Sequence, residues 1–177
     1  MKRMLSLFLL FALSATLSAQ KTTNPVIVVD TAKGVIEIEL NPRMAPKGVA
    51  KILGLVEKGF YRGLRVHRMT PNLVQFGDPL TRNMRNQNSF GSGGSGTYLG
   101  VAEITPAMKH VRGAVGFAYS SEAKLADSQI YIMKTLMPGL DGDYSIIGRV
   151  ISGITVADKL QANDVIKNIT LKAAAVK

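Results

Sequence analysis

Val66-His67-Arg68-Met69, followed a few residues later by Leu73-Val74-Gln75-Phe76-Gly77-Asp78-Pro79, is the stretch on which the reading of this chain turns. Each half reads as a short strand, with Arg68 on the first, Gln75 on the second, and Asp78-Pro79 ending the second. If the two strands pair, a guanidinium fork and an amide point to one face between apolar neighbours. Taken alone, an Arg on a strand is more often a solvated or structural side chain than a functional one.

Outward from that stretch, residues 26–30 form a β-branched run. Residues 35–40 put Ile36, Ile38 and Leu40 on one face and Glu37 and Glu39 on the other, a period of two that predicts a hairpin with the preceding run. Residues 46–58 change period. Val49, Ile52, Leu53 and Val56 fall at helical spacing, Pro46 suits a first helical position, and Gly59 suits the residue past the end. Further strands are expected at 65–69, 73–76, 113–119, 129–133, 146–151 and 166–171, with a brief helix near 155–161. The glycine-rich run 91–96 reads as a flexible turn, because it lacks the Gly-Lys-Ser/Thr ending that a phosphate cradle requires. Many short strands with one or two helices predict a mainly β domain whose sheet closes into a barrel of about eight strands, since closure removes exposed edges.

The chain has 177 residues, 46% of them apolar and 19% charged, with no Cys, no Trp and two His. That length suits one domain with a sizeable core. Without Cys there are no thiol nucleophiles, disulfides, thiolate zinc sites or iron–sulfur clusters. His67 and His110 alone do not suggest a metal centre, and no metal or cofactor is expected. A Ser/His/Asp site is unsupported, since no G-x-S-x-G elbow is present. The net charge of +10 is spread along the chain, with a modest concentration between Arg62 and Arg85. It reads as a solubility feature rather than a polyanion footprint, so no specific nucleic-acid partner is expected.

Met1-Lys2-Arg3 is a short positive start, and an apolar run to Leu17 precedes Ser18-Ala19. Residues 1–19 therefore read as a secretory signal peptide cut after Ala19, with 20–25 a polar lead-in and 26–177 the single domain. The apolar run of about 14 residues falls short of the ~20 needed to span a bilayer. Losing Lys2 and Arg3 takes the charge from +10 to +8. The mature form is expected in the periplasm or secreted, with no membrane span.

The wording of several blocks carries more than their periodicity. Val66-His67-Arg68-Met69 with Val74-Gln75-Phe76-Gly77-Asp78 resembles the F-H-R…Q-G-G-D stretch of the cyclophilins. Arg112-Gly113-Ala114-Val115-Gly116-Phe117-Ala118 is similar to the bacterial R-G-x-[IV]-x-M-A block, and Ser128-Gln129-Ile130-Tyr131-Ile132 to S-Q-F-F-I. Leu140-Asp141-Gly142 through Gly148-Arg149-Val150 is similar to L-D-G…F-G-[KR]-V. Upstream, Gly34–Leu40, Ala45-Pro46 and Gly59-Phe60-Tyr61 resemble the family's first hairpin, first helix and the link after it. The blocks occur in family order from Val26 to Leu171, and the chain is identified as a cyclophilin of the bacterial, exported type.

The resemblance implies a peptidyl-prolyl cis–trans isomerase on a closed eight-stranded antiparallel barrel capped by two helices, acting as a monomer on proline-containing unfolded or extended polypeptides. It implies Arg68 as the catalytic donor and Gln75 as the residue that orients it. Leu73, Phe117, Tyr131 and Leu140 would line the prolyl seat. Ala118 and Tyr119 would offer backbone to the peptide, Gln129 would bind substrate, and Tyr144 would stand where relatives often carry His. One residue fewer separates Arg68 from Gln75 than in most cyclophilins, a pocket Phe is replaced by Asn72 or Leu73, and Phe76 interrupts the Q-G-G-D pair. A thinner seat predicts a slower enzyme, or, in the alternative reading, a peptide-binding module or holdase on the same fold. By the same comparison His67 reads as structural, His110 as a loop residue, and Glu103 has no assigned chemistry.

Overall fold

The computed structural model describes residues 24–173. The segment read as a signal peptide, 1–19, and most of the lead-in at 20–25 lie outside the described residues. Strand β1 (Val26–Thr31) turns back into β2 (Gly34–Leu40), and the Thr31 hydroxyl donates to the Gly34 carbonyl at 2.7 Å to fasten the turn. Helix α1 (Pro46–Glu57) starts on Pro46 and ends before Gly59, whose φ of +64° ends the helix without steric cost. It buries Gly48, Val49, Ile52, Leu55 and Val56.

The residue before the helix, Ala45, has no side chain to cap it. Glu103, far along the chain, does so instead: its Oε1 accepts the Lys47 N–H at 2.9 Å and its Oε2 the Gly48 N–H at 2.8 Å. A carboxylate at a helix N-terminus satisfies orphan donors and opposes the helix dipole. Glu103→Ala should therefore cost about 1–2 kcal/mol of stability, read as a lower urea midpoint with an unchanged slope. An unshifted midpoint would remove the capping role.

The remaining strands are β3 (Leu64–Arg65), β4 (Arg68–Met69), β5 (Leu73–Phe76), β6 (Ala114–Phe117), β7 (Ile130–Met133), β8 (Ile146–Ser152) and β9 (Val165–Leu171), with α2 (Ile154–Lys159) before the last. They form one antiparallel sheet in the order β3-β9-β1-β2-β8-β6-β7-β5-β4. This corrects the expected closed eight-stranded barrel with two capping helices. The sheet has nine strands and is open, because the strand expected at 65–69 is two strands on opposite edges. Leu64 and Arg65 pair with β9, and Arg68 and Met69 pair with β5. The chain crosses between them at Val66-His67, so the curled sheet's two edges are joined by covalent chain and not by a ladder. Both edge strands are only two residues long, which limits the exposed edge in place of closure. Helical structure also exceeds two caps, with short 3-10 turns at Pro79–Arg82, Met84–Ser89, Ala123–Leu125 and Pro138–Leu140.

The central strands β5, β6 and β7 are buried on both faces. Alternation sorts their residues into two apolar layers. Val74, Phe76, Val115, Phe117, Ile130, Ile132 and Ile147 face the main core, together with the buried stripe of α1. Leu73, Ala114, Tyr131, Met133 and Ile146 face the other way and build a second, smaller cluster. Among the described residues no helix is long and apolar enough to cross a membrane.

Candidate active site

Pairing places the decisive residues in one row across the sheet. Arg68 on β4 is opposite Gln75 on β5, Gln75 is opposite Tyr131 on β7, and Tyr131 is opposite Gly116 on β6. Directly opposed residues share a face, so Arg68, Gln75 and Tyr131 all lie on the side of the second apolar cluster. Leu73 and Met133 form the next pair on that face. The turn between β4 and β5 is tight because the Thr70 hydroxyl accepts the N–H groups of Asn72 at 3.2 Å and Leu73 at 3.1 Å. That turn accommodates the shortened spacing from Arg68 to Gln75. Leu73 joins the apolar cluster, while Asn72 is turned to Thr135, whose hydroxyl donates to its Oδ1 at 3.0 Å.

A directional chain of amides leads to the guanidinium. Arg68 Nη1 donates to Gln75 Oε1 at 3.4 Å, and Gln75 Nε2 donates to Gln129 Oε1 at 2.9 Å. Gln129 Nε2 donates in turn to the carbonyls of Gly91 at 2.8 Å and Gly93 at 2.7 Å. Arg68 forms no ion pair among the described residues, so its charge is not neutralised by a neighbouring carboxylate.

The glycine run is not the flexible turn expected from its composition. Buried Asp78 accepts the N–H groups of Gly91 at 2.5 Å and Gly93 at 3.3 Å. Asp127 accepts the Gly96 N–H at 3.1 Å and the Ser95 hydroxyl, and pairs with Lys51 of α1 at 3.0 Å. A β-carbon on Gly93 or Gly94 would overlap these carboxylates, so glycine is required there by close approach. The fixed loop walls a cavity of about 920 Å³ that His67, Arg68, Gln75, Ala118, Tyr119 and Gln129 also line.

On the face shared by the Arg68–Gln75 row, Leu73, Tyr131 and Met133 belong to the second apolar cluster, with Ala118, Leu140, Tyr144, Met108 and Met137 packed against it. Three methionines thus belong to or pack against this cluster. Tyr144 stacks on Tyr119 at 4.7 Å and meets Tyr131 edge-on at 6.1 Å. Burial pushes the Tyr119 hydroxyl up to about 12, with Tyr144 and Asp143 adding to the effect, and burial pushes Tyr131 higher still.

Of the expected site residues, Arg68, Gln75, Leu73, Ala118, Tyr119, Gln129, Tyr131, Leu140 and Tyr144 come together here. Phe117 does not. It is fully buried in the main core, and its ring lies so close to α1 that a β-carbon on Gly48 would come within 2.8 Å of it. Parity is the reason: Gly116 and Ala118 face the site, so the residue between them faces away. His110, expected in a loop, does lie between elements but is buried at 0% exposure, with Nδ1 2.9 Å from Asp141 Oδ1 and Nε2 2.7 Å from the Tyr131 hydroxyl. The backbone N–H and then the imidazole of His110 hold the Asp141 carboxyl below its usual range. No signal in the sequence pointed to this contact, because its three members lie on separate segments.

His67 lines the cavity beside Arg68, and its buried ring nitrogens find no hydrogen-bond partner among the described residues. Burial lowers its pKa, with Arg68 acting in the same direction and Asp78 and Gln129 opposing. The unfolded chain, with an imidazole near ~6.5, therefore binds a proton before the folded chain does. Stability from this group is complete above about pH 6.5 and falls as the pH drops toward the lowered folded value. Urea unfolding at stepped pH should show that decline, and His67→Gln should flatten it; an equal decline in the variant would assign it to other groups.

Comparison with known proteins identifies the family. The family model described as "Cyclophilin type peptidyl-prolyl cis-trans isomerase/CLD" matches residues 26–176. A "Probable peptidyl-prolyl cis-trans isomerase" of Brucella suis biovar 1 is 37% identical over 161 residues, covering 89% of this chain and 81% of that protein. A peptidyl-prolyl cis-trans isomerase of Helicobacter pylori is 30% identical over 149 residues, covering 82% and 86%. Among solved structures, a cyclophilin type isomerase of Cryptosporidium parvum, crystallised in the presence of the dipeptide Ala-Pro, superposes with a TM-score of 0.74 at 26% identity, covering 84% of this chain and 99% of that one. The chain belongs to the cyclophilin-type peptidyl-prolyl cis–trans isomerases, enzymes that speed rotation about X–Pro bonds and so assist protein folding.

Proposed function

We propose that Arg68 carries the catalysis by stabilising the half-rotated prolyl amide. Rotation about an amide is opposed by a barrier of ~18–20 kcal/mol, and no covalent bond is made or broken. At mid-rotation the prolyl nitrogen loses conjugation, becomes pyramidal and regains a lone pair. A guanidinium N–H hydrogen-bonds that lone pair better than it does the planar amide, so the interaction favours the transition state selectively. Arg suits the task because it stays charged and has further donors for Gln75. The single observation that supports this role is the row itself: a guanidinium with no ion pair among the described residues, hydrogen-bonded to Gln75 on the face of the second apolar cluster.

Within this reading Leu73, Tyr131, Leu140 and Tyr144 hold the prolyl ring, and the methionines make the seat adaptable. Gln129 and the backbone at Ala118-Tyr119 receive the extended chain before the proline. The substrates are unfolded or extended proline-containing polypeptides, and the similar Cryptosporidium parvum cyclophilin was crystallised in the presence of Ala-Pro, a ligand of that class. The enzyme works as a monomer of the bacterial, exported type, cut after Ala19 and acting in the periplasm or outside the cell; the support is the Lys2-Arg3 start and apolar run of the first segment. A prolyl-peptide isomerisation assay tests the assignment. Activity that depends on Arg68 upholds it, and activity indifferent to Arg68 refutes it.

A further inference from the structure

Beneath the seat runs a buried polar chain that the rotation mechanism does not use. Tyr131 is 3% exposed, so its hydroxyl has to be satisfied within the protein. Its partner is His110 Nε2 at 2.7 Å, and His110 Nδ1 lies 2.9 Å from Asp141 Oδ1, which also accepts the His110 backbone N–H at 2.8 Å. An ionised carboxylate only accepts, so Nδ1 carries a proton; in the neutral imidazole Nε2 is then the acceptor, and the Tyr131 hydroxyl donates to it.

The three residues come from separate segments that border the seat. Tyr131, on β7, is a buried member of the cluster. Asp141 follows directly on Leu140 and precedes Tyr144, both of which pack against that cluster. His110 lies between them, and its carbonyl accepts the Met137 N–H at 2.8 Å, which ties the same turn a second time. Gly116, across from Tyr131, leaves room for the hydroxyl, since a β-carbon there would come within 2.6 Å of Tyr131 Cζ.

We propose that His110 and Asp141 are positioning residues for the isomerase: through the Tyr131 hydroxyl they clamp β7 to the turn that carries Leu140 and Tyr144, and so set the affinity of the prolyl seat for the ring. This rests on the reading of the cluster as the seat. The clamp acts on binding, whereas Arg68 acts on the rate of rotation.

A double-mutant cycle on the full domain tests it, with the Kd of an Ala-Ala-Pro-Ala peptide from NMR titration and turnover from exchange at saturating peptide. Tyr131→Phe and His110→Leu should each weaken binding by about tenfold, and the double variant should be no weaker than either single, because each breaks the same link. Turnover of bound peptide by His110→Leu should stay within about twofold of wild type. Imidazole nitrogen shifts should show His110 protonated at Nδ1 and bare at Nε2. Losses that multiply in the double variant, wild-type affinity in Tyr131→Phe, or the opposite tautomer would overturn the clamp. Should His110→Leu not fold, Asp141→Asn takes its place in the same cycle, since that side chain is 18% exposed. Leu140→Ala separates the two readings. Unchanged affinity there sinks the seat itself, while weakened affinity alongside multiplying losses leaves the seat and sinks only the clamp.

Discussion

Arg68→Ala should lower kcat/KM for a prolyl peptide by about 10²–10³-fold, the usual consequence of removing one preorganised donor to developing charge. The fold should be unaffected, because Arg68 sits on a two-residue edge strand, is solvent-exposed, and gives up only one long hydrogen bond, to Gln75 at 3.4 Å. Affinity should change little, since the proposed seat is the cluster of Leu73, Tyr131, Met133 and their neighbours. The loss therefore belongs in kcat, as expected for an interaction made only in the transition state. Arg68→Lys should recover part of the rate, keeping the charge while losing the planar fork that Gln75 aligns. A protease-coupled assay at several peptide concentrations reads both numbers. A loss confined to KM would make Arg68 a binding residue only.

Gly77→Ala should be the most destabilising single-methyl change in the site region, at about 3–5 kcal/mol. Gly77 has a φ of +111°, a conformation L residues rarely adopt, and an added β-carbon would overlap the Ser128 carbonyl and approach Gln129 Cα to 2.8 Å. These are backbone atoms just before β7, so no side-chain rotation relieves the overlap. The Ser128 hydroxyl also donates to the Gly77 carbonyl at 2.8 Å, which fixes the two segments together. Relief would require moving Gln129 and with it the amide chain that ends on Arg68. Chemical denaturation should show the lost stability, and residual activity should fall in the folded fraction. A variant as stable as wild type would mean that the two segments are freer than their contacts indicate.

The same glycine shows how far the sequence could be read. Phe76 in the middle of the Q-G-G-D resemblance looked like a disturbance of the backbone after Gln75. In the structure Phe76 faces the main core and Gly77 alone supplies the positive φ, so the substitution falls where a side chain is needed. Strands with a clear two-residue period, such as Gly34–Leu40, and the apolar stripe of α1 were legible because local spacing determines which face is buried. The row Arg68–Gln75 was legible for the same reason.

What escaped depended on contacts between distant segments. Residues 65–69 carry no local mark of the crossing at Val66-His67, because their partners, β9 and β5, are set by the curl of the whole sheet. Phe117 was placed in the seat by resemblance, but along β6 it alternates with Gly116, which faces the site, so its ring goes to the main core. The rigid glycine loop, the Glu103 cap and the His110 contact all rely on a carboxylate or ring supplied from another part of the chain. Composition suggested flexibility for the loop; Asp78 and Asp127 remove it.

Two-dimensional exchange spectroscopy on a labelled Ala-Ala-Pro-Ala peptide, at concentrations that saturate the protein, measures rotation of the bound imide directly. Wild-type protein should produce cis–trans cross-peaks, and Arg68→Ala should bind the same peptide without producing them. Cross-peaks of equal strength from both proteins would contradict the assignment of catalysis to the Arg68 guanidinium.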